Sequence, residues 1–172
     1  MSGFVDFRDW LVQTTHYLRA LGFVEGVAFS CADVRRHREL RWVRMGDFEL
    51  GLRTASSDFR VAEGILLRDE YDAVRAEDPR VILDVGANIG AAAIWFASRY
   101  PGATVYAFEP ELDNFRVMER NCSLWKNIIP LRQAVWSRSM VREIQNRKTG
   151  AWGYTLADLG SAACAMGQTV DC

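Results

Sequence analysis

Long apolar runs, paired cysteines, histidine clusters and a surplus of either charge are all missing from this sequence, and each absence removes a class of function. No stretch is apolar enough over bilayer length to span a membrane, so no membrane partner is expected. Cys31, Cys122, Cys164 and Cys172 stand far apart with no CxxC pair, which argues against a zinc site or a disulfide framework. Reduced thiols in the cytoplasm are the expectation. The opening MSGFVDFRDW is mixed and acidic rather than basic and then apolar, so no secretory leader is expected. With 21 basic against 22 acidic residues there is no basic surplus to meet a phosphate backbone, and nucleic acid is not an expected partner. Only two histidines occur, His16 and His37; either is chemically able to act as a general base, but a surface or helix position is the reading adopted for both. No repeat or low-complexity tract breaks the chain. What remains is 172 residues, 49% hydrophobic, which reads as one soluble α/β unit with a real core.

What is present concentrates between residues 80 and 135. Arg80 to Val85 (RVILDV) is a nearly continuous aliphatic run, as expected of a central parallel strand covered on both faces. Ala91 to Tyr100 (AAAIWFASRY) has helical composition, closed by Pro101-Gly102. Between them lies Asp84-Val85-Gly86-Ala87-Asn88-Ile89-Gly90. Gly86 and Gly90 permit backbone angles that a Cβ opposes, and Asn88 tolerates a left-handed conformation, so the segment predicts a strand-to-helix turn. Such a turn lets a ligand reach backbone N–H groups at a helix start.

The residues around the turn discriminate between ligands. A dinucleotide site wants Gly-x-Gly-x-x-Gly, yet Asn88 stands at the second glycine and Ala91 at the third. Asp84 would oppose a pyrophosphate and attract a cation: at ~4 Å the gross Coulomb term is about 4 kcal/mol at an effective dielectric of about 20. The sign favours S-adenosyl-L-methionine, which carries an ammonium and a sulfonium. An NAD-dependent oxidoreductase is the weaker alternative.

Ala103 to Phe108 (ATVYAF) reads as the next parallel strand, and Glu109 follows it 25 residues after Asp84, one strand-helix-strand unit later. A carboxylate there can accept both ribose hydroxyls of an adenosine cofactor. Pro110 suits the first turn of a further helix, with Glu111 and Asp113 near its positive end and Leu112, Phe115, Met118 and Cys122 toward the sheet. The third strand, roughly Asn127 to Val135, contains Pro130, which cannot donate to a ladder and so marks an edge. The expected fold is therefore α/β: the first half of a Rossmann-like doubly wound parallel sheet in the order 3-2-1, preceded by a small α+β segment.

VILDVGANIGAAAIWFASRYPGATVYAFEPELDNFRVMERNCSLWKN resembles the core of the FkbM-type S-adenosylmethionine-dependent methyltransferases, in which a DVGANIG turn, a strand ending in AFEP and a helix with Asn-rich turns recur in this order. Looser likeness extends over LRQAVWS and upstream over SSDFRVAEGILLRDEY. The resemblance implies that Asp84, Gly86, Ala87, Asn88 and Gly90 line the methionine and sulfonium end, that Glu109 holds the ribose, and that Ala134, within Gln133 to Val135, lies near the adenine. It implies methyl transfer to a hydroxyl of a small-molecule or sugar-like acceptor. No catalytic base can be assigned and no metal ligands are proposed. Members of that family continue into a fourth strand with an acidic motif where this sequence reads Gly150 to Gly167, so an incomplete core is expected. A catalytically inactive cofactor-binding fragment, or half of a split enzyme, is thus the main alternative, with a homo-oligomer or a complementing chain as protein partner.

The rest of the chain is less informative. Phe4, Phe7, Leu11, Leu18 and Leu21 predict a packing helix over Phe4 to Leu21; Val27 to Ser30 and Phe48 to Arg53 predict short strands; Asp58 to Arg75 reads as mainly helical. A boundary near Asp78 separates an N-terminal segment, 1–78, from the cofactor-binding core, 79–172. Arg35, Arg36, Arg38, Arg41 and Arg44 around Trp42 are read as a solvated face. Asn121 and Asn127 are read as ending a helix and its loop, Tyr71 and Asp72 as residues able to close over the cofactor, and Trp152 and Tyr154 as core.

Overall fold

A computed structural model of the chain describes residues 7–68 and 70–137 and, as backbone, the strands Val141–Asn146, Tyr154–Ala157 and Gln168–Asp171. Phe4, Trp152, the side chain of Tyr154 and the stretch Asp158 to Gly167 lie outside the described residues. The chain divides into two compact units, Met1–Asp69 and Glu70–Cys172.

The first unit opens with α1, Phe7–Arg35, which is broken at Gly22 (φ 78, ψ 179). Its two halves fold back on each other: Thr14 Oγ1 lies 2.7 Å from Ser30 Oγ, and the Tyr17 hydroxyl donates to Asp33 Oδ2 at 2.6 Å. Gly26 makes the close approach, since a Cβ there would stand 2.8 Å from the Leu18 backbone. Val27 to Ser30 is therefore helix rather than strand, drawn in by Phe29, whose ring meets Tyr17 and Phe59. The face expected to be buried is also wrong in part: Phe7 and Leu11 are 67% and 44% exposed, and Tyr17 is the buried anchor. An antiparallel hairpin follows, β1 (Leu40–Met45) and β2 (Phe48–Arg53), with Val43 opposite Leu50 on its buried face. α2 covers only Asp58–Leu66. Its first residue is locked by the Arg53 guanidinium, which donates to Asp58 Oδ2 at 2.7 Å and Oδ1 at 2.8 Å in a buried bidentate pair.

The second unit carries three parallel strands, β3 (Val81–Val85), β4 (Thr104–Phe108) and β5 (Ile128–Leu131), which lie side by side in that order. β5, with Pro130, is at one margin, where a residue without an N–H costs no ladder bond. α3 (Ala91–Arg99) and α4 (Leu112–Cys122) provide the crossovers. α3 follows the predicted span and buries its first five residues and Ala97, as a run of alanines with Ile94 and Trp95 allows. α4 starts one residue beyond Glu111, whose side chain caps it by accepting the Asn114 N–H, so Pro110 precedes the helix instead of opening it. Its buried stripe is Asn114, Val117, Met118, Asn121 and Cys122, two amides more than an apolar pattern predicts.

Strand residues alternate between faces. Ile82, Asp84, Val105, Ala107 and Ile128 share the face under the helices, with the last three buried. Val81, Leu83 and Val85 point the other way and are 57, 62 and 58% exposed, joined by Ile129. A third sheet, antiparallel in the order β7-β6-β8, pairs β6 (Val141–Asn146) with β7 (Tyr154–Ala157) and β8 (Gln168–Asp171). Among the described residues no helix is long and apolar enough to cross a membrane.

Candidate cofactor-binding turn

β3 runs out at Val85, and the chain leaves it through Gly86 (φ 85) and Asn88 (φ 52) before entering α3 from Gly90 (φ 85). Three left-handed residues in five reverse the chain within one turn. The turn is stapled on every side. Gly86 and Ala87 N–H groups both donate to the Phe108 carbonyl at 2.9 Å, and Gly90 N–H donates to the Ala87 carbonyl at 2.8 Å. Asn88 N–H donates to Glu109 Oε2 at 2.8 Å, and Asn121 Nδ2 donates to the Ile89 carbonyl at 2.9 Å. These bonds correct one expectation: the N–H groups of Gly86, Ala87, Asn88 and Gly90 serve the fold, so a ligand at the helix start is left with donors of the first turn of α3, where Gly90 supplies no side-chain cap.

The acceptors tell the other half. Asp84 takes the Ala93 N–H, while its Oδ2 is buried without a partner. Burial pushes this carboxyl up to about 6, and the Ala93 bond opposes the rise. Asn88 Oδ1 is likewise buried and unpartnered. Both orphans accept and neither donates, so the group that completes them must bring N–H or O–H donors, and beside a carboxylate a cation is preferred. Gly86 adds the space: a Cβ there would meet nothing within 4 Å. Gly90 is different, because its Cβ would stand 2.9 Å from Cys122 Sγ and 3.1 Å from Met118 Cγ. Its lack of a side chain serves packing of the turn on α4.

Glu109 is 5% exposed. Besides the Asn88 bond, its Oε1 accepts the Glu111 N–H at 2.9 Å and faces Asn114 Nδ2 at 3.5 Å. Burial raises its pKa, and these donors pull it back. Of roughly four acceptor positions on a carboxylate, protein donors use three, which leaves one where two ribose hydroxyls would ask for two. Glu109 N–H donates to the Leu131 carbonyl at 3.0 Å, so the end of β5 lies beside it. Ala134, three residues on, is buried between exposed Gln133 and Val135.

Asn114 carries no signal in the sequence and Asn121 reads there only as a helix end, yet they reach Glu109 and the turn. They stand seven residues apart, two helical turns, on the buried face of α4. That spacing is visible in the sequence, but buried amides do not register in an apolar pattern. Asn127, by contrast, closes loop carbonyls as expected, donating to Ala103 at 3.1 Å and Ala97 at 3.4 Å.

Tyr71 belongs to the same unit as the turn. Its ring meets Trp95 and Phe96 at 6.1 and 5.4 Å, and burial, then the charges of Asp84 and Glu70, raise its pKa. Asp72 is exposed and pairs with Arg75 at 3.3 Å. In the first unit, His16 Nδ1 is 2.9 Å from Glu63 Oε1, with Arg68 alongside, and His37 lies 3.6 Å from Glu39. Arg41 clamps Glu25 at 2.7 Å and Glu39 at 2.9 Å; Arg35, Arg36, Arg38 and Arg44 are exposed. Burial, with the Asp84 charge second, pushes the Cys122 thiol up to about 12.

No protein-family model matches the chain. Three proteins share segments with it. Over 79 residues it is 39% identical to the hexuronic acid methyltransferase AglP of Haloferax volcanii, covering 42% of this chain and 32% of that protein. Over 54 residues it is 37% identical to Methyltransferase 1 of Beauveria bassiana, covering 31% and 22%. Over 86 residues it is 36% identical to the AMB antimetabolite synthetase AmbE of Pseudomonas aeruginosa, covering 46% and 4%. The chain thus has methyltransferase relatives and spans about a third or less of their length. A crystal structure of coclaurine N-methyltransferase bound to N-methylheliamine and SAH aligns with 80% of this chain and 40% of its own at 11% identity, with a TM-score of 0.36, too loose a likeness to bear on function.

Proposed function

We propose that this chain is the cofactor-binding part of an FkbM-type, S-adenosylmethionine-dependent O-methyltransferase acting in the cytoplasm on a hydroxyl of a small-molecule or sugar-like acceptor. On this reading the three parallel strands are the first half of a doubly wound, Rossmann-like sheet, with β5-β4-β3 as its 3-2-1 half. The observation that carries the cofactor is the buried, unpartnered Oδ2 of Asp84, two residues before the sterically open Gly86. Methyltransferase relatives support the reaction class, and the relative named for hexuronic acid supports a sugar-like acceptor.

The residues fit the group. Asp84 and Asn88 supply two acceptors for an ammonium, Gly86 keeps the approach free of a side chain, Ala87 adds only a buried methyl, and Gly90 seats the turn. Glu109 has one acceptor position for a ribose hydroxyl, and Ala134 presents a small buried surface near the end of β5, suited to a flat adenine edge. Bound there, S-adenosylmethionine would supply a methyl carbon already activated by its sulfonium. The protein's part is orientation, which is worth about 7–11 kcal/mol when two reactants are held in line. A dinucleotide fits less well, since a pyrophosphate would face the Asp84 carboxylate.

One feature favours the alternative of a cofactor-binding half that works with a complementing chain or a second copy. Parallel sheets are normally covered on both faces, and here Val81, Leu83 and Val85 are open. Titration calorimetry of the chain with S-adenosylmethionine and with NAD side by side is the test. Binding of the first alone supports the proposal; tight NAD binding alone overturns it.

A further inference from the structure

We infer that Asn121, from the last turn of α4, is a positioning residue that locks the cofactor turn by fixing the peptide between Ile89 and Gly90. The inference rests on the reading of the turn as the cofactor site. That peptide is held at both ends. Its carbonyl accepts Asn121 Nδ2 at 2.9 Å, across 32 residues of sequence, and its N–H donates to the Ala87 carbonyl at 2.8 Å. The peptide between Ala87 and Asn88 is held the same way, its carbonyl by Gly90 and its N–H by Glu109. Between these two fixed planes sit Asn88 and Ile89, the former left-handed at φ 52 with its Oδ1 buried and unpartnered. Asparagine tolerates such a conformation, and the bonds on the flanking peptides select it here. Releasing the plane beyond Ile89 lets Asn88 change its backbone angles, and its buried side-chain acceptor then leaves its place in the turn.

Two neighbours make Asn121 the specific lock. Met118 and Cys122, from the same helical turn, press on Gly90, but Met118 has no donor and the Cys122 thiol is only a weak one. Asn121 is 2% exposed, so bulk water does not compete for the Ile89 carbonyl. Asn114, two turns earlier, faces Glu109 at 3.5 Å, so the same helix reaches both ends of the site.

The test compares the wild-type chain with Asn121→Leu, which removes the donor at nearly constant volume, Asn121→Ser, and Asn127→Ala. The last removes half-buried side-chain-to-carbonyl bonds at the other end of α3 from the turn. Each is melted, titrated calorimetrically with S-adenosylmethionine well below its melting temperature, and examined by amide NMR. Asn127→Ala is expected to lower the melting temperature and keep wild-type affinity. Both Asn121 variants are expected to lose affinity at least tenfold while folded, with the Asn88 and Gly90 amide resonances displaced. Wild-type affinity in either folded Asn121 variant overturns the lock. If the wild type itself binds no S-adenosylmethionine, the proposed function fails instead, and the Asn88 and Gly90 resonances alone then decide: unmoved, they overturn the lock.

Discussion

Replacing Asp84 by asparagine is expected to stabilise the ligand-free chain at neutral pH and weaken its hold on a cationic cofactor in the same step. The Asp84 carboxyl titrates near 3.8 when unfolded and at about 6 when folded, raised first by burial. Between those values the folded state holds the extra proton, so stability falls as pH rises. The group's contribution is fully present below about 3.8 and lost as pH passes about 6. At about 1.4 kcal/mol per pH unit the interval is worth about 3 kcal/mol. Asp84→Asn removes the charge and keeps an acceptor for the Ala93 N–H, but its own buried donors take back about 1 kcal/mol. The net is a gain of about 2 kcal/mol at pH 8 and a small loss at pH 4. Urea unfolding of both proteins from pH 4 to 8 should give curves that cross. Parallel curves would refute the picture of Asp84 as an unsatisfied buried acid. The binding arm has the opposite slope: wild-type affinity for S-adenosylmethionine should rise with pH through about 6, and Asp84→Asn should be weaker and flat.

Glu109→Ala leaves the buried Asn88 and Glu111 N–H groups without acceptors, so it should cost about 2–4 kcal/mol in chemical denaturation and at least tenfold in cofactor affinity by calorimetry. Unchanged affinity would remove Glu109 from the site. Gly86→Val, with open space around it, should stay folded at a strain cost of about 1–2 kcal/mol and lose binding. Gly90→Ala must also push Cys122 and Met118 aside and should melt lower than Gly86→Val, which differential scanning calorimetry would decide. Peptide-resolved maleimide labelling of the native protein should modify exposed Cys31 within minutes and Cys122 only on unfolding, because burial and a pKa pushed up to about 12 withhold the thiolate.

The parts legible in the sequence are those where one interaction dominates. β3, α3 and β4 were readable because an aliphatic run, an alanine-rich run and a β-branched run each admit one element, and Pro130 placed its strand at a margin. Val27 to Ser30 misled because a four-residue apolar run fits a strand and a buried helix turn equally, and the deciding partner of Phe29, Tyr17, lies on the other side of the Gly22 break. β1 was hidden by its arginines: Arg41 and Arg44 read as a solvated patch, while alternate Val43 and Met45 are buried. In the site, Asp84, Gly86 and Asn88 could be named from conformational and charge requirements. Gly90's packing role and the Asn121 bond could not, since both depend on how α4 lies against the turn.

The open face of β3 has a practical meaning for anyone handling this chain. Val81, Leu83 and Val85 form a β-branched and aliphatic stripe in water, the kind of surface that draws molecules together as concentration rises. Because neighbouring strand positions face opposite ways, that stripe can be rewritten without touching Asp84 or Ile82. Leu83→Lys would make the protein easier to concentrate while leaving the ligand side of the strand as it is.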